Sequence, residues 1–259
     1  MENFKTTECM GYSLYSDNLS DLRFEKKALI NTINQYSYCI AEEDSDFKQA
    51  LSNSDILLPD GVGMVWANRF LNGEKINKIA GADIHRFLLK RLNQNGGSCF
   101  YLGASNQTLD KIEKNLKKNY PNVRIGNYSP PYKPEFSQED SERMISEVNS
   151  FRPDVLFVGM TAPKQEKWSH KYKERLDATV ICSIGAVFDF YAGTVERPSS
   201  QWRDLGLEWL GRLVKEPKRM WKRYIFYGAK FGFVLLGKKL KLNLSPNSSD
   251  IKRPVQDNV

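Results

Sequence analysis

Histidine and closely spaced cysteine are scarce in this sequence. Its 259 residues include two histidines and four cysteines, and the cysteines form no CxxC pair. Zinc-binding domains depend on such close spacings, and disulfide-stapled domains are small and dense in cysteine. We therefore expect reduced thiols in a cytoplasmic protein and no structural zinc site. The residues concerned are His85, His170, Cys9, Cys39, Cys99 and Cys182.

Long apolar runs are missing as well. A transmembrane helix needs roughly 20 apolar residues, whereas the most apolar stretch runs only from Tyr224 to Gly237 and contains Lys230. This stretch is predicted to lie on a bilayer without crossing it. At the N-terminus no apolar region follows a basic start, so we expect no secretory signal.

Acidic residues are few in one region near the C-terminus. The segment from Arg197 to Lys241 contains twelve lysines or arginines and only three acids, in a chain whose net charge is +7. Aromatic side chains are interleaved with these cations. A basic, aromatic segment fits an anionic surface with an apolar interior, so the predicted partner of this region is an anionic membrane surface. The aromatic residues are Trp202, Trp209, Trp221, Tyr224, Phe226, Tyr227, Phe231 and Phe233.

The remaining chain alternates short apolar runs with amphipathic stretches. Such alternation favours a parallel sheet covered by helices on both faces, and 41% hydrophobic residues suffice for one substantial core. We predict an α/β fold with a Rossmann-like, mostly parallel sheet flanked by helices and a C-terminal basic amphipathic helical appendage. The predicted strands are Asp55–Leu58, Ser98–Gly103, Val123–Tyr128, Val155–Met160 and Thr179–Ile184, and the predicted helices are Ile84–Asn93, Gln107–Asn119 and Gln138–Ser150.

Three segments follow from this pattern: a catalytic core at 1–195, the basic appendage at 196–241 and a disordered tail at 242–259. The appendage is predicted to contain a helix from Arg203 to Val214 and a second from Pro217 to about Leu236. The second helix is expected to be basic on one side and apolar on another. Its basic side has Arg219, Lys222, Arg223 and Lys230, and its apolar side has Trp221, Tyr224, Ile225, Gly228, Phe231 and Leu235.

Glycine-containing loops follow several predicted strands directly. They include residues 59–63 (PDGVG), the loop after Gly103, the loop after Gly159 and residues 185–189 (GAVFD). At the carboxyl ends of parallel strands, glycine lets backbone N–H groups approach a phosphate, and the next helix offers its positive end. These loops are the predicted binding site. No GxGxxG sequence follows the first strands, which disfavours an oxidoreductase.

Five stretches together resemble the WecG/TagA/CpsF glycosyltransferases. They are LLPDGVGMVWA (57–67), KIAGADI (78–84), FVGMTAPKQEKW (157–168), GAVFDFYAGTVERP (185–198) and GLEWLGRLVKEPKRMWKRY (206–224). The resemblance implies transfer of an N-acetylmannosamine-like or related hexose from a UDP-sugar to an undecaprenyl-diphosphate-linked acceptor sugar, with inversion, in cell-surface polysaccharide biosynthesis. It also implies a peripheral protein on the inner face of the bacterial cytoplasmic membrane. The oligomeric state stays open.

The resemblance assigns Asp60 as the general base, whereas its position alone allows a helix N-cap equally. Thr32, Asn34 and Gln165 are implied pocket residues, although Gln165 could also be a surface residue in the first turn of a helix. Asp189 is implied to bind ribose or to cap a helix. Lys78 stands where the family usually has arginine and lacks the bidentate geometry of a guanidinium.

The arginines of the appendage, Arg212, Arg219 and Arg223, are implied to meet the diphosphate, since a guanidinium fork matches phosphate oxygens. Alone, each could equally be a solvated surface charge. Asp44-Ser45-Asp46 has the form of a DxD metal motif but is interpreted as an acidic helix start. The expectation is transfer that needs no cofactor and no metal.

A nucleic-acid-binding protein is the alternative hypothesis, because a basic and aromatic arm could also hold phosphates and stacked bases of a single strand. Under the first hypothesis no nucleic acid is a partner. UDP-sugar turnover on anionic lipid would separate the two.

Overall fold

The computed structural model describes residues 4–195 and 208–244. Within them, six parallel strands form a central sheet in the order β4-β3-β8-β7-β5-β6, and β1 and β2 form a separate antiparallel hairpin that packs against the core. The strands are β1 (Thr6–Cys9), β2 (Tyr12–Tyr15), β3 (Ala28–Ile33), β4 (Ile56–Pro59), β5 (Ser98–Gly103), β6 (Arg124–Tyr128), β7 (Val155–Gly159) and β8 (Val180–Ser183).

The central strands are buried on both faces because their sequences are almost continuously apolar. Along β7, Val155 and Phe157 belong to one hydrophobic cluster, and the alternate residues Leu156 and Val158 belong to another. Successive side chains of a strand point to opposite faces, so the two clusters lie on opposite sides of the sheet. The result is a three-layered α/β/α core, and the predicted fold class is confirmed.

Helices cover the two faces of the sheet and the hairpin. The helix α5 shows why they form: Leu109, Ile112 and Leu116 lie at helical spacing and are buried, while Ser105 caps its first turn. The helices of the core are α1 (Gln35–Ala41), α2 (Ser45–Ser52), α3 (Val62–Asn72), α4 (Gly81–Asn95), α5 (Asn106–Asn119), α6 (Gln138–Phe151), α7 (Lys164–Tyr172) and α8 (Ala186–Ala192), with 3-10 turns at Leu19–Asp21 and Lys173–Arg175.

The C-terminal helices pack on the core instead of standing away from it. They are α9 (Glu208–Lys215), α10 (Pro217–Trp221), a π-helical turn (Lys222–Phe226) and α11 (Tyr227–Leu244). Phe231 of α11 is buried and meets the ring of Tyr38 at 5.4 Å between centroids. Tyr227 meets the ring of Tyr36 at 5.0 Å, and Lys230 forms an ion pair with Glu43. These contacts fix α11 against α1.

Two expectations for the appendage need correction. The second helix does not end near Leu236 but continues to Leu244. The apolar side predicted to lie on a bilayer is partly used for packing on the core, because Phe231 is buried there and Leu235 packs beside it. A different set of apolar residues is exposed on this helix: Phe233, Leu236, Leu240, Leu242 and Leu244.

Other expectations fall partly outside the described residues. Residues 196–207, which include the start of the predicted helix at Arg203, and residues 245–259 of the predicted tail lie there, so the division into domains stays a prediction. All four cysteines are buried and unpaired, which confirms free thiols. None of the helices in the described ranges has both the length and the apolar composition needed to cross a membrane.

Candidate active site

A cleft of about 940 Å³ opens at the carboxyl ends of the parallel strands. Loops after β3, β4, β5, β7 and β8 form its walls, and residues of the C-terminal helices complete it. Ligands of open α/β sheets bind at this edge, and the volume suits a small-molecule site. The predicted site residues that line the cleft are Thr32, Asn34, Asp60, Lys78, Gly159, Gln165, Asp189 and Arg223.

Asp60 follows β4 directly and lines the cleft. Its backbone N–H donates to the carbonyl oxygen of Ile33 at 2.9 Å, which joins this loop to the end of β3. The capping residue of α3 is Gly61, at a φ of +85° that favours glycine. Asp60 is therefore not the N-cap, and its half-buried carboxylate faces a site that a substrate can enter. Its role as a base stays a prediction.

Thr32 and Asn34 flank the end of β3. The side-chain oxygen of Asn34 accepts hydrogen bonds from the backbone N–H groups of Tyr36 and Ser37, each at 3.0 Å, and so caps α1. Asn34 thus has a structural task as well as a place in the cleft wall. Thr32 is half-buried beside it.

Gln165 is a buried residue of the cleft floor, so the alternative of a surface glutamine is wrong. Its Oε1 accepts a hydrogen bond from the backbone N–H of Met160 at 3.2 Å. A Cβ atom on Gly185 would lie 2.4 Å from this Oε1, so the glycine leaves room for the amide in this orientation. The loops after β7 and β8 therefore hold one orientation of the Gln165 amide.

Glu166 is a site residue that the sequence interpretation missed. Glu166 lines the cleft although it is only 3% exposed, and burial raises the pKa of its carboxyl group to about 7. Oε1 accepts a hydrogen bond from Nε2 of Gln165 at 2.8 Å, and Oε2 has no hydrogen-bond partner among the described residues. An acid in the first turn of a helix usually indicates an exposed group that favours the helix dipole. Only the tertiary structure shows that this acid points inward.

Two glycines that were expected to bind substrate differ in their roles. Gly159 lines the cleft, but Gly103 does not, and Ala104 and Ser105 line the cleft after β5 instead. Gly103 has φ +124°, and a Cβ atom there would lie 2.3 Å from the carbonyl oxygen of Gly159. Gly103 is thus required for the packing of two loops.

Asp189 and Lys78 are far apart in the sequence but line the same cleft. Asp189 lies in the first turn of α8 and is exposed, and its Oδ1 accepts a hydrogen bond from Oγ1 of Thr194 at 3.4 Å. The N-cap of α8 is Gly185, so the capping alternative for Asp189 is wrong. Ribose binding by Asp189 and phosphate binding by Lys78 stay predictions.

The appendage reaches the cleft through Trp209, Arg223 and Tyr224. The guanidinium of Arg223 lies 4.6 Å from the ring centre of Tyr36, a cation–π contact that holds it beside the core. Arg212 lies on α9 and Arg219 on α10, but their side chains are outside what the structure describes.

The Asp44-Ser45-Asp46 sequence starts a helix, as interpreted. Oδ1 of Asp44 accepts from the backbone N–H of Phe47 at 3.0 Å, and Oδ2 pairs with Lys167 at 2.6 Å. The hydrogen bonds and charge of these partners lower the pKa of Asp44 against the effect of its partial burial. In residues 4–195 and 208–244, no three or more histidine, cysteine or acidic side chains are grouped to hold a metal ion.

Known proteins resemble this chain over most of its length. The sequence profile of the Glycosyl transferase WecG/TagA/CpsF family matches residues 9–245. The chain belongs to this family. As a WecG/TagA/CpsF protein it is a glycosyltransferase, which supports the first of the two hypotheses over a nucleic-acid-binding protein.

Relatives of this WecG/TagA/CpsF protein have one named activity in common. A protein of Bacillus subtilis (strain 168) is 33% identical over 76% of this chain and 75% of its own length, and one of Bacillus spizizenii is 30% identical over 77% and 76%. A protein of Staphylococcus aureus (strain MW2) is 26% identical over 67% and 66%. Each is named N-acetylglucosaminyldiphosphoundecaprenol N-acetyl-beta-D-mannosaminyltransferase.

Proposed function

We propose that this protein transfers an N-acetylmannosamine-like sugar from a UDP-sugar to an undecaprenyl-diphosphate-linked acceptor sugar, with inversion at the anomeric carbon. The observation that carries the proposal is one cleft lined both by Asp60 of the core and by Arg223 of the appendage. A base and a cation on one small-molecule cleft are what glycosyl transfer from a diphosphate donor requires. The names of the relatives supply the acceptor and the sugar.

Asp60 is proposed to remove the proton of the acceptor hydroxyl. The freed oxygen then forms a bond to C1 of the donor sugar, while the bond from C1 to the phosphate oxygen breaks and UDP leaves with the electron pair. A single displacement of this kind inverts the anomeric carbon. The cleft contributes mainly by holding the hydroxyl, the base and C1 in line.

Cations of the cleft are proposed to stabilise the departing diphosphate. Lys78 and Arg223 line it, and Arg212 and Arg219 are proposed to join them from α9 and α10. Positive groups fixed in a partly buried cleft act strongly on developing negative charge. Metal-independent transfer is part of this proposal, since Asp44 is occupied in capping α2 and pairing with Lys167.

Peripheral association with an anionic membrane is supported by the exposed face of α11. Phe233 is 76% exposed and Leu244 is 81% exposed, and Lys241 is exposed on the same helix. On α3, Trp66 is 74% exposed, and the ring of Phe70 lies 5.5 Å from the ammonium group of Lys239. An extended apolar surface with basic residues around it suits the interface of an anionic bilayer.

The test is a transfer assay with the purified full-length protein. UDP-N-acetylmannosamine and an N-acetylglucosaminyl-diphosphate-lipid acceptor are supplied with and without EDTA, and the anomeric configuration of the product is read by NMR. We expect an inverted product at an unchanged rate in EDTA. Asp60→Asn should lower kcat by about a hundredfold or more, the usual contribution of a general base, and leave UDP affinity unchanged.

Asp46→Asn is the matched control, because Asp46 is an exposed aspartate of the DxD-like sequence. It should leave the rate unchanged. Full activity of Asp60→Asn would remove Asp60 from the mechanism, and loss of activity in EDTA would refute the metal-independent route.

A further inference from the structure

We propose that the carboxyl group of Glu166 is a sugar-binding group, which contacts a hydroxyl or acetamido group of the donor sugar through Oε2. This inference rests on the proposed function, because it names the part of the substrate that the floor of the same cleft recognises. It adds a residue with no assigned role to the site.

The first support is the hydrogen bonding of this carboxyl group. Glu166 is 3% exposed and yet lines the cleft. Oε1 is satisfied by Nε2 of Gln165, whereas Oε2 has no hydrogen-bond partner among the described residues. Buried polar atoms in folded proteins almost always have a partner. The unsatisfied oxygen belongs to a buried side chain of the cleft wall, where a group of the ligand can supply the missing partner.

The second support is that the nearest lysines of the same helix are engaged elsewhere. Nζ of Lys164 donates to the carbonyl oxygen of Lys133 at 2.6 Å, and Nζ of Lys167 pairs with Asp44 at 2.6 Å. No ion pair of Glu166 occurs within the part of the chain that the structure describes. A buried carboxyl group without a cation does not serve stability, since the free-energy cost of removing it from water is offset only in part by the hydrogen bond from Gln165.

The third support is the rigidity of the group. The amide of Gln165 is held by the N–H of Met160 on one side and by Glu166 on the other. The orientation of the Glu166 carboxyl group is therefore fixed before any ligand arrives, which lowers the cost of binding. A fixed polar group in a buried floor also rejects sugars that cannot satisfy it.

The chemistry suits a sugar better than a diphosphate. In its neutral form the carboxyl group donates from Oε2–H to a sugar oxygen, and in its ionised form it accepts from a hydroxyl or an amide N–H. The ionised form repels a phosphate anion, whereas a sugar offers partners to both forms. The cations Lys78 and Arg223 line the same cleft and provide for the diphosphate, so the two ends of a UDP-sugar have different partners.

The experiment compares binding of UDP and of UDP-N-acetylmannosamine to the full-length wild-type protein, Glu166→Leu and Glu166→Gln by calorimetry. Glu166→Leu should bind UDP as the wild type does and should bind UDP-N-acetylmannosamine about tenfold more weakly or worse, as expected for one lost hydrogen bond to a buried group. Glu166→Gln should recover most of the loss, because an amide keeps both a donor and an acceptor.

Ser169→Ala is the matched control. Ser169 lies one turn further along α7, is fully buried and accepts a hydrogen bond from Ser183 at 3.3 Å, but does not line the cleft. Its loss should change the melting temperature without changing the ratio of the two affinities. A fall in both affinities of Glu166→Leu by the same factor would show a merely structural role and overturn the proposal.

A double-mutant cycle separates direct contact from positioning. If Glu166 only orients the amide of Gln165, Glu166→Leu will have no further effect in a Gln165→Ala background. Direct contact predicts a further loss of UDP-N-acetylmannosamine affinity there. If Glu166→Leu binds UDP-N-acetylmannosamine as well as the wild type does, this inference is refuted and the proposed function is not. A wild-type protein that transfers no sugar refutes the proposed function.

Discussion

At the scale of the residue, Glu166 links stability to pH. Burial raises its pKa from 4.5 to about 7 in the folded protein. The stabilising effect of its bound proton is fully present below pH 4.5 and is lost as the pH rises to about 7, because the unfolded chain ionises first. Two and a half pKa units correspond to about 3 kcal/mol.

Glu166→Gln cannot ionise, so it should be more stable than the wild type by up to about 3 kcal/mol at pH 8 and by little at pH 4.5. Urea unfolding at both pH values measures this difference. Parallel pH profiles of the two proteins would contradict the burial of an ionisable group at this position.

Sequence and structure agree unevenly for single residues. Asp60, Gln165 and Asp189, which the resemblance assigned to the site from distinctive motifs, all line one cleft. The resemblance could not show that Gln165 is buried or that Glu166 points inward. The burial of Gln165 involves the close approach of Gly185 from the loop after another strand, which is a tertiary contact without a local signal.

At the scale of the element, α11 presents apolar residues to two environments. Phe231 is 5% exposed and packs on Tyr38, whereas Phe233, two residues later, is 76% exposed. The first should act on folding and the second on binding to lipid.

Phe231→Ala should lower the free energy of unfolding by about 3 kcal/mol, because it leaves a cavity in a packed cluster. Phe233→Ala should change it by less than about 0.5 kcal/mol, as is usual for exposed positions, but should weaken binding to phosphatidylglycerol vesicles. Urea unfolding and vesicle co-sedimentation distinguish the two variants. Equal effects of both in the two assays would show that the faces of α11 are assigned wrongly.

The sequence predicted the apolar strands well and missed those with another pattern. β3 (Ala28–Ile33) was not predicted, because the buried Asn31 interrupts its apolar run. Its amide donates to Oγ of Ser54 at 2.9 Å. The hairpin was missed because its turn has Met10 and Gly11, both at positive φ, in place of the usual asparagine-glycine pair.

The faces of the appendage could not be predicted for a physical reason. A helix with apolar residues on both sides has no single periodic stripe, so its sequence does not say which side meets the protein. The π-helical turn at Lys222–Phe226 also shifts the angular position of every later residue relative to α10.

At the scale of the whole molecule, positive charge is concentrated in the C-terminal appendage, where apolar residues of α11 are exposed. Binding of the full-length protein to phosphatidylglycerol vesicles should therefore weaken as salt rises from about 0.05 to 0.5 M, because ions screen exposed charges. Neutral phosphatidylcholine vesicles are the control and should bind weakly at every salt concentration. Binding that does not respond to salt or to lipid charge would leave the basic appendage without its proposed partner.

The position of Tyr36 carries a consequence for the order of events. Arg223 lies against one part of this ring and Tyr227 against another, and both come from the appendage. Contacts within one chain thus hold the wall that the appendage adds to the cleft. The proposed anionic bilayer would then be the place where the substrate is met, and would not be needed to build the site.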